Sequence, residues 1–277
     1  MKFIKVTTLI LFTFLFACNI IDKPLKEVND STCGDENGPI PIRKILVEDY
    51  TAHKCVFCPQ AASILDDIID KYCDHIIPIG IHVGSLAEPD DHFTTDYRTA
   101  TGNQLDDEYN AANAGLPKGL VNRTEYEGSL LLQSANWETA VSLLYDMKPE
   151  IDITIESSYN ESTNEVTATI SAEFLSDINY NMNLGLYVTE DSIVSPQKSG
   201  ATTIEDYVHR HVLRKGVNGA FGENFVSSAT FGDVLEKTFT FDTNEDWNIN
   251  HCELVAFISN SSTNEIIQAE SGHIIHE

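Results

Sequence analysis

The stretch VEDYTAHKCVFCPQAASILDDIIDKY, residues 47–72, changes its period part-way along. It opens inside a short β-prone run, Ile42 to Tyr50. Beyond the two cysteines, Ala61, Ile64, Leu65, Ile68, Ile69 and Tyr72 recur at spacings of three and four, while Asp66, Asp67, Asp70 and Lys71 fill the opposite face. That pattern predicts an amphipathic helix. The next segment, HIIPIGIHV at 75–83, is apolar and of strand length, and Pro78 within it argues for an edge position or a bulge. Strand, helix and strand at this spacing predict a βαβ unit with parallel strands and a right-handed crossover. Cys55 and Cys58 then fall at the mouth of the helix.

Further along, residues 84–114 are polar and partly helical, with a helix expected over QLDDEYNAANA; they read as an insertion above the sheet. GLPKGLVNR, 115–123, is a loop feeding a short strand. SANWETAVSLLYDM then predicts a helix with Ser134 as its N-cap and Trp137, Val141, Leu144 and Tyr145 on its buried face. After Pro149 the period becomes two: EIDITIESSY, EVTATISAEF, NMNLGLYVTE, LEKTFTFD, CELVAFISN and NEIIQAES alternate apolar and polar residues between turn formers. Short alternating strands without helices between them predict an antiparallel sandwich, interrupted by one long connection at 190–233.

The chain opens with MKFIKVTTLILFTFLFAC: two lysines, an apolar run from Val6 to Phe16, then Ala17 and Cys18. The run is far short of the roughly 20 residues a bilayer needs, so it predicts an export signal over 1–18. Its LFAC ending resembles a bacterial lipoprotein signal, which implies acylation of Cys18; the alternative is plain cleavage and secretion. Residues 19–40 are polar, rich in turn formers and without periodicity, and read as a tether. Loss of the signal takes Lys plus Arg from 17 to 15 against 43 acids, a balance of −28. A surface that acidic repels phosphate backbones, so nucleic acid is not expected as a partner. No cofactor motif appears. About 260 mature residues exceed what one core usually holds, so two domains are expected.

Three chemistries fit Cys55 and Cys58. For exchange, Cys55 at a helix N-terminus would meet unpaired N–H groups and the positive end of the macrodipole, and His53 and Lys54 would add positive charge; all lower a thiol pKa. An exposed Cys55 would attack and a sheltered Cys58 would resolve the mixed disulfide. Pro59 suits the first helical turn. Zinc needs four ligands, and this is a lone C-x-x-C. A structural staple is the third reading, and the sequence alone does not choose between it and exchange.

Residues 42–148 resemble the thioredoxin superfamily. VEDYTAHKCVFC matches the strand that leads into the active site, the C-x-x-C opens a helix within a βαβ unit, and Pro117 in GLPKGLVN matches the cis-proline loop. The resemblance implies that Asp49 is a buried proton acceptor for the resolving sulfur and that Pro117 faces the pair and presents backbone to an extended peptide. Lys54 stands where a tryptophan is usual, and Val56-Phe57 is an unusual dipeptide. Taken with the signal, with YVHRHVLR and with the β-rich second half, nearly the whole chain resembles the outer membrane protein 28-related lipoproteins of Bacteroidota. That resemblance implies an α/β thioredoxin-like domain at 41–148, an all-β immunoglobulin-like sandwich at 149–277, and lipid anchoring to the outer membrane. Partners would be cell envelope proteins or peptides.

His209 and His211 would share a face if YVHRHVLR is a strand, but no third metal ligand is evident. Arg210, Arg214 and Lys215 form the densest basic patch, expected to dock on the acidic remainder of the chain. Five cysteines remain beside Cys18. Cys73, a helix length from the pair, cannot be the resolving sulfur. Pairing of Cys33 with Cys73 or with Cys252 is left open.

Overall fold

The computed structural model describes residues 41–275; the signal, Cys18, the tether and Cys33 lie outside the described residues. The predicted βαβ unit is present. Strand β1 (Ile45–Thr51) leads through a six-residue loop into helix α1 (Cys58–Tyr72) and on to strand β2 (Ile76–His82), which pairs in parallel with β1. Helices α2 (Ala100–Tyr109) and α3 (Ala111–Ala114) follow, Thr99 capping α2 by accepting from the Gly102 N–H. Strand β3 (Lys118–Val121) runs antiparallel to β1, and helix α4 (Ser134–Tyr145) packs behind it. Ser134 is the first helical residue of α4, not its cap; Gln133 holds that position without a side-chain bond.

The second half supplies strands β4 (Ile151–Asn160), β5 (Glu165–Phe174), β6 (Met182–Glu190), β7 (Ile193–Ser199), β8 (Thr202–His209), β9 (Val212–Gly216), β10 (Glu223–Val226), β11 (Val234–Asp242), β12 (Cys252–Asn260) and β13 (Ile266–His273). The six alternating segments are strands as expected. The long connection at 190–233 is not irregular: it contains β7 to β10.

Strands from both halves of the chain share one sheet. Its order is β13-β12-β6-β9-β2-β1-β3, with β10 added against β6. The junction is narrow, since β2 meets β9 in parallel through the single register pair Gly80 and Val212. The Gly80 N–H donates to the His211 carbonyl at 2.8 Å. Amides alternate sides along a strand, so the missing N–H of Pro78 lies on this same side, before β9 arrives. The edge that proline calls for is therefore a local one.

Among the described residues, three large apolar cores follow from this arrangement. On one face of β1 and β3, Ile45, Val47 and Val121 pack against Ala61, Leu65, Ile68, Trp137 and Val141 of α1 and α4. Gly119 is required there, because a Cβ would stand 2.5 Å from the Trp137 ring. On the other face, Leu46, Tyr50, Ile79 and Ile81 meet Leu105, Ala111, Tyr187 and Phe257. The third core lies between the sheet β11-β5-β4 and the strands β6 and β12. Leu184, Leu186, Val188, Leu254, Ala256 and Ile258 face it, while Tyr187, Val255 and Phe257 point to the second core. Both faces of β6 and β12 are thus buried, which explains their near-continuous apolar character.

A buried ion pair of the first half reaches the second through a hydrogen bond. Arg123 donates to Glu48 from Nε at 2.9 Å and Nη2 at 2.7 Å, and from Nη2 to the Tyr187 hydroxyl at 3.1 Å. Arg123 and Glu48 are 2 % and 1 % exposed. Such a bidentate fork satisfies a charge that burial would otherwise make costly.

Candidate functional site

Cys55 and Cys58 are joined as a disulfide with Cα atoms 5.4 Å apart. The helix begins at Cys58, with Phe57 at the cap position and Pro59 in the first turn. Cys55 therefore sits in the loop before the cap, its N–H donating to the Ala52 carbonyl at 3.0 Å. The expectation of an exposed attacking sulfur at the helix terminus is corrected: both cysteines are 2 % exposed. The two residues between them face outward instead, Val56 at 38 % and Phe57 at 64 %.

The β7–β8 hairpin holds this loop. The Lys198 N–H donates to the His53 carbonyl at 2.8 Å, and the Gly200 N–H to the Val56 carbonyl at 3.0 Å. Between these bonds the buried Gln197 side chain donates from Nε2 to the carbonyls of Ala52 at 3.2 Å and Cys55 at 3.0 Å. The hairpin thus takes the backbone acceptors on both sides of Cys55. Ala52, Ala87 and Leu116 pack against the sulfurs. Leu116 precedes Pro117 through a cis peptide bond, so the proline loop does lie against the pair, with Leu116 as the contact.

Asp49 lies on β1, 5 % exposed, and its Oδ1 has no hydrogen-bond partner among the described residues. Burial pushes its carboxyl up to about 8. Tyr207 of β8 is near enough for that carboxylate to help raise the phenol to about 12, after burial as the main cause.

His53 does not supply charge to Cys55. Its ring stacks on Phe93 with centroids 5.2 Å apart, and Nε2 lies 3.1 Å from the Glu88 carbonyl oxygen. Burial, ahead of the neighbouring Lys54, lowers its pKa and favours the neutral ring. Lys54 faces Asp90 at 3.5 Å. The electropositive surround predicted for Cys55 is therefore corrected, because one of its two members is packed away and the other is paired.

His209 and His211 part company, because β8 ends at His209 and the chain turns at His211, φ 51°. His209 enters a buried group with His82, Tyr97 and Tyr207, ring centroids 4.8 to 5.6 Å from one another along its contacts. His211 Nδ1 instead faces Asp191 at 3.5 Å. Among the described residues no group of His, Cys, Asp and Glu is arranged to hold a metal. The basic patch docks internally, as expected: Arg210 on Asp191 at 3.3 Å, Arg214 on Glu190 at 3.3 Å, and Lys215 on the Asp242 carbonyl at 3.1 Å. Cys73 is disulfide-bonded, and Cys252 is a buried free thiol pushed up to about 12 by burial.

Gln197 and Lys198 escape a reading of the sequence by motif. Their only signal is Ser199-Gly200 between two β-prone runs, a hairpin turn with Gly200 at φ 57°.

The family described as outer membrane protein Omp28 matches residues 102–276. The chain belongs to the Omp28 family. Among solved structures it is similar to HBP35 of Porphyromonas gingivalis, with TM-score 0.66 and 16% identity, covering 85% of this chain and 76% of that one. An X-ray structure of an Agrobacterium tumefaciens protein matches with TM-score 0.52 and 13% identity, covering 86% of this chain and 98% of that one. A domain of the outer membrane lipoprotein Omp28 from P. gingivalis matches at 20% identity over 46% of this chain and 88% of that one, with TM-score 0.33. No curated protein matches the sequence. Omp28-family membership agrees with the outer membrane as location. No helix among the described residues is long and apolar enough to cross a bilayer.

Proposed function

We propose that this Omp28-family chain is a lipoprotein of the outer membrane, anchored through acylated Cys18, that serves as a binding scaffold for envelope proteins or peptides. Its first half, 41–148, is a thioredoxin-like unit, and its second, 149–277, an immunoglobulin-like sandwich stitched to it through the common sheet. Cys55–Cys58 is a structural bond within this scaffold. The observation that carries this reading is the burial of both cysteines against Ala52, Ala87 and Leu116, in a loop held by the Lys198 and Gly200 amides and the Gln197 side chain of the β7–β8 hairpin. A thiolate must approach a sulfur in line to exchange with it, and a disulfide 2 % exposed offers no such approach.

Thiol–disulfide exchange is the second reading, favoured by the raised Asp49 carboxyl and by the cis-proline loop against the pair. The reduction potential decides between them. The scaffold predicts a value below about −300 mV, and one between about −120 and −270 mV would overturn it. Cys58→Ser supplies a second readout: a scaffold traps no mixed disulfides on Cys55 in the envelope. Cys18→Ser tests the anchor, and should move the protein from the membrane pellet to the soluble fraction.

A further inference from the structure

Beside the first turns of α1, from Pro59 to Asp66, the surface opens into a cavity of about 360 Å³. Its walls come from both halves of the chain. Helix α1 gives Ala62, Leu65 and Asp66, β1 gives Asp49, and β8 with the following turn gives Tyr207 and His211. The volume lies within the range of small-ligand pockets, roughly 300 to 1,000 Å³. We propose that this cleft is a binding site for a small organic cation, an ammonium or amidinium on a short apolar body, with the Asp49 carboxylate as its counter-ion.

Three observations carry the proposal. The first is the orphaned acceptor. Asp49 lines the cavity, is 5 % exposed, and has an oxygen without a partner among the described residues. Buried polar atoms are almost always satisfied, so an unsatisfied one facing a cavity marks where a partner belongs. The second is the sign of the surroundings. Asp66 is at the mouth, its carboxyl raised by burial, with Asp70 and Asp191 adding to that in spite of Arg210. The cations at the rim are spoken for or discharged. Arg210 is held by Asp191, and burial pushes His211 down to about 4, leaving it neutral. No cationic side chain among the described residues forms an ion pair with Asp49 or Asp66; Arg210 lines the cavity and partly offsets Asp66, but its guanidinium is turned to Asp191. The third is shape: Ala62 and Leu65 form an apolar wall suited to a few methylenes.

Binding has a proton balance that can be read directly. Burial holds the Asp49 carboxyl up at about 8, so at pH 7 it is mostly protonated. Pairing with a cation ionises it and sends one proton to the buffer. The inference stands independently of the reading of the disulfide, since neither sulfur lines the cavity.

The test is titration calorimetry of the oxidised full chain with n-butylammonium chloride at pH 7, in phosphate and in Tris. The expected result is one saturable site whose heat differs between the buffers by the ionisation heat of close to one proton. Asp49→Asn should weaken binding at least tenfold and abolish the buffer difference. Ala62→Phe, which leaves the acid in place and fills the apolar wall, should weaken it at least tenfold, and n-butanol should bind at least tenfold more weakly than the amine. Absence of saturation at tens of millimolar butylammonium overturns the proposal. So does binding that both variants leave unchanged, or that releases no proton.

Discussion

Replacing Asp49 by asparagine should stabilise this protein, and by an amount that grows with pH. The side chain is buried on β1 and one oxygen has no partner. Burial disfavours the charged form and raises the carboxyl from 3.8 to about 8. The folded state therefore binds a proton that the unfolded state releases above 3.8. Stability contributed by this group is full below 3.8 and falls as pH rises towards 8. Each pH unit in that window removes about 1.4 kcal/mol, and some three units separate 3.8 from 7, so the wild-type carboxyl costs about 4 kcal/mol at neutral pH. Asparagine is close in shape and carries no such penalty. Urea unfolding of both oxidised proteins from pH 4 to pH 8 reads the difference. The two should nearly coincide at pH 4 and diverge with a slope near 1.4 kcal/mol per pH unit between 5 and 7. A difference independent of pH, or a destabilised variant at pH 8, would refute the account of this carboxyl as an unpaired buried acid.

Gln197→Ala removes the Nε2 amide that donates to the carbonyls of Ala52 and Cys55; at about 1 kcal/mol for each bond, the hairpin should open more readily and dithiothreitol should reduce the native disulfide about thirtyfold faster, measured by thiol quantification under native conditions. Arg123→Met strands the buried Glu48 and should destabilise the fold by about 3 to 5 kcal/mol in denaturant titration, with Arg123→Lys recovering only part because it lacks the bidentate fork. Burial pushes His209 from 6.5 down to about 4, so the unfolded chain takes up a proton there first. Its contribution is complete above 6.5 and is lost as pH falls towards 4, about 3 kcal/mol in all, and His209→Gln should flatten that part of the stability profile.

Much of the local structure is legible because it obeys one period at a time. The α1 stripe from Ala61 to Tyr72 and the alternation in β4, β5, β11, β12 and β13 each need only a neighbouring surface to bury against. Pro59 even marks where α1 starts, since a proline in the first turn fits a helix opening at Cys58 more closely than one opening at Cys55. What the sequence hides is the long-range cover. Gln197 meets Cys55 across 142 residues, and nothing in the local pattern of either segment announces the other. The parting of His209 from His211 follows from where that hairpin ends, and the burial of Cys55 from segments as distant as Ala87 and Leu116. The site was thus readable as a pair of sulfurs beside a proline loop, but its accessibility was decided by tertiary packing.

The waist of the large sheet, where β2 meets β9 through Gly80 and Val212, bears on how a pull on the chain would be carried. Within the sheet the halves join there through few hydrogen bonds, the Gly80 amide on the His211 carbonyl among them. Its companions at that crossing are the Glu48–Arg123–Tyr187 linkage and the hairpin bonds over the cysteine loop. Because Ile42 and Lys44, just ahead of β1, are bonded to Gln268 of β13, a load on the chain there would pass into the second half without crossing the waist.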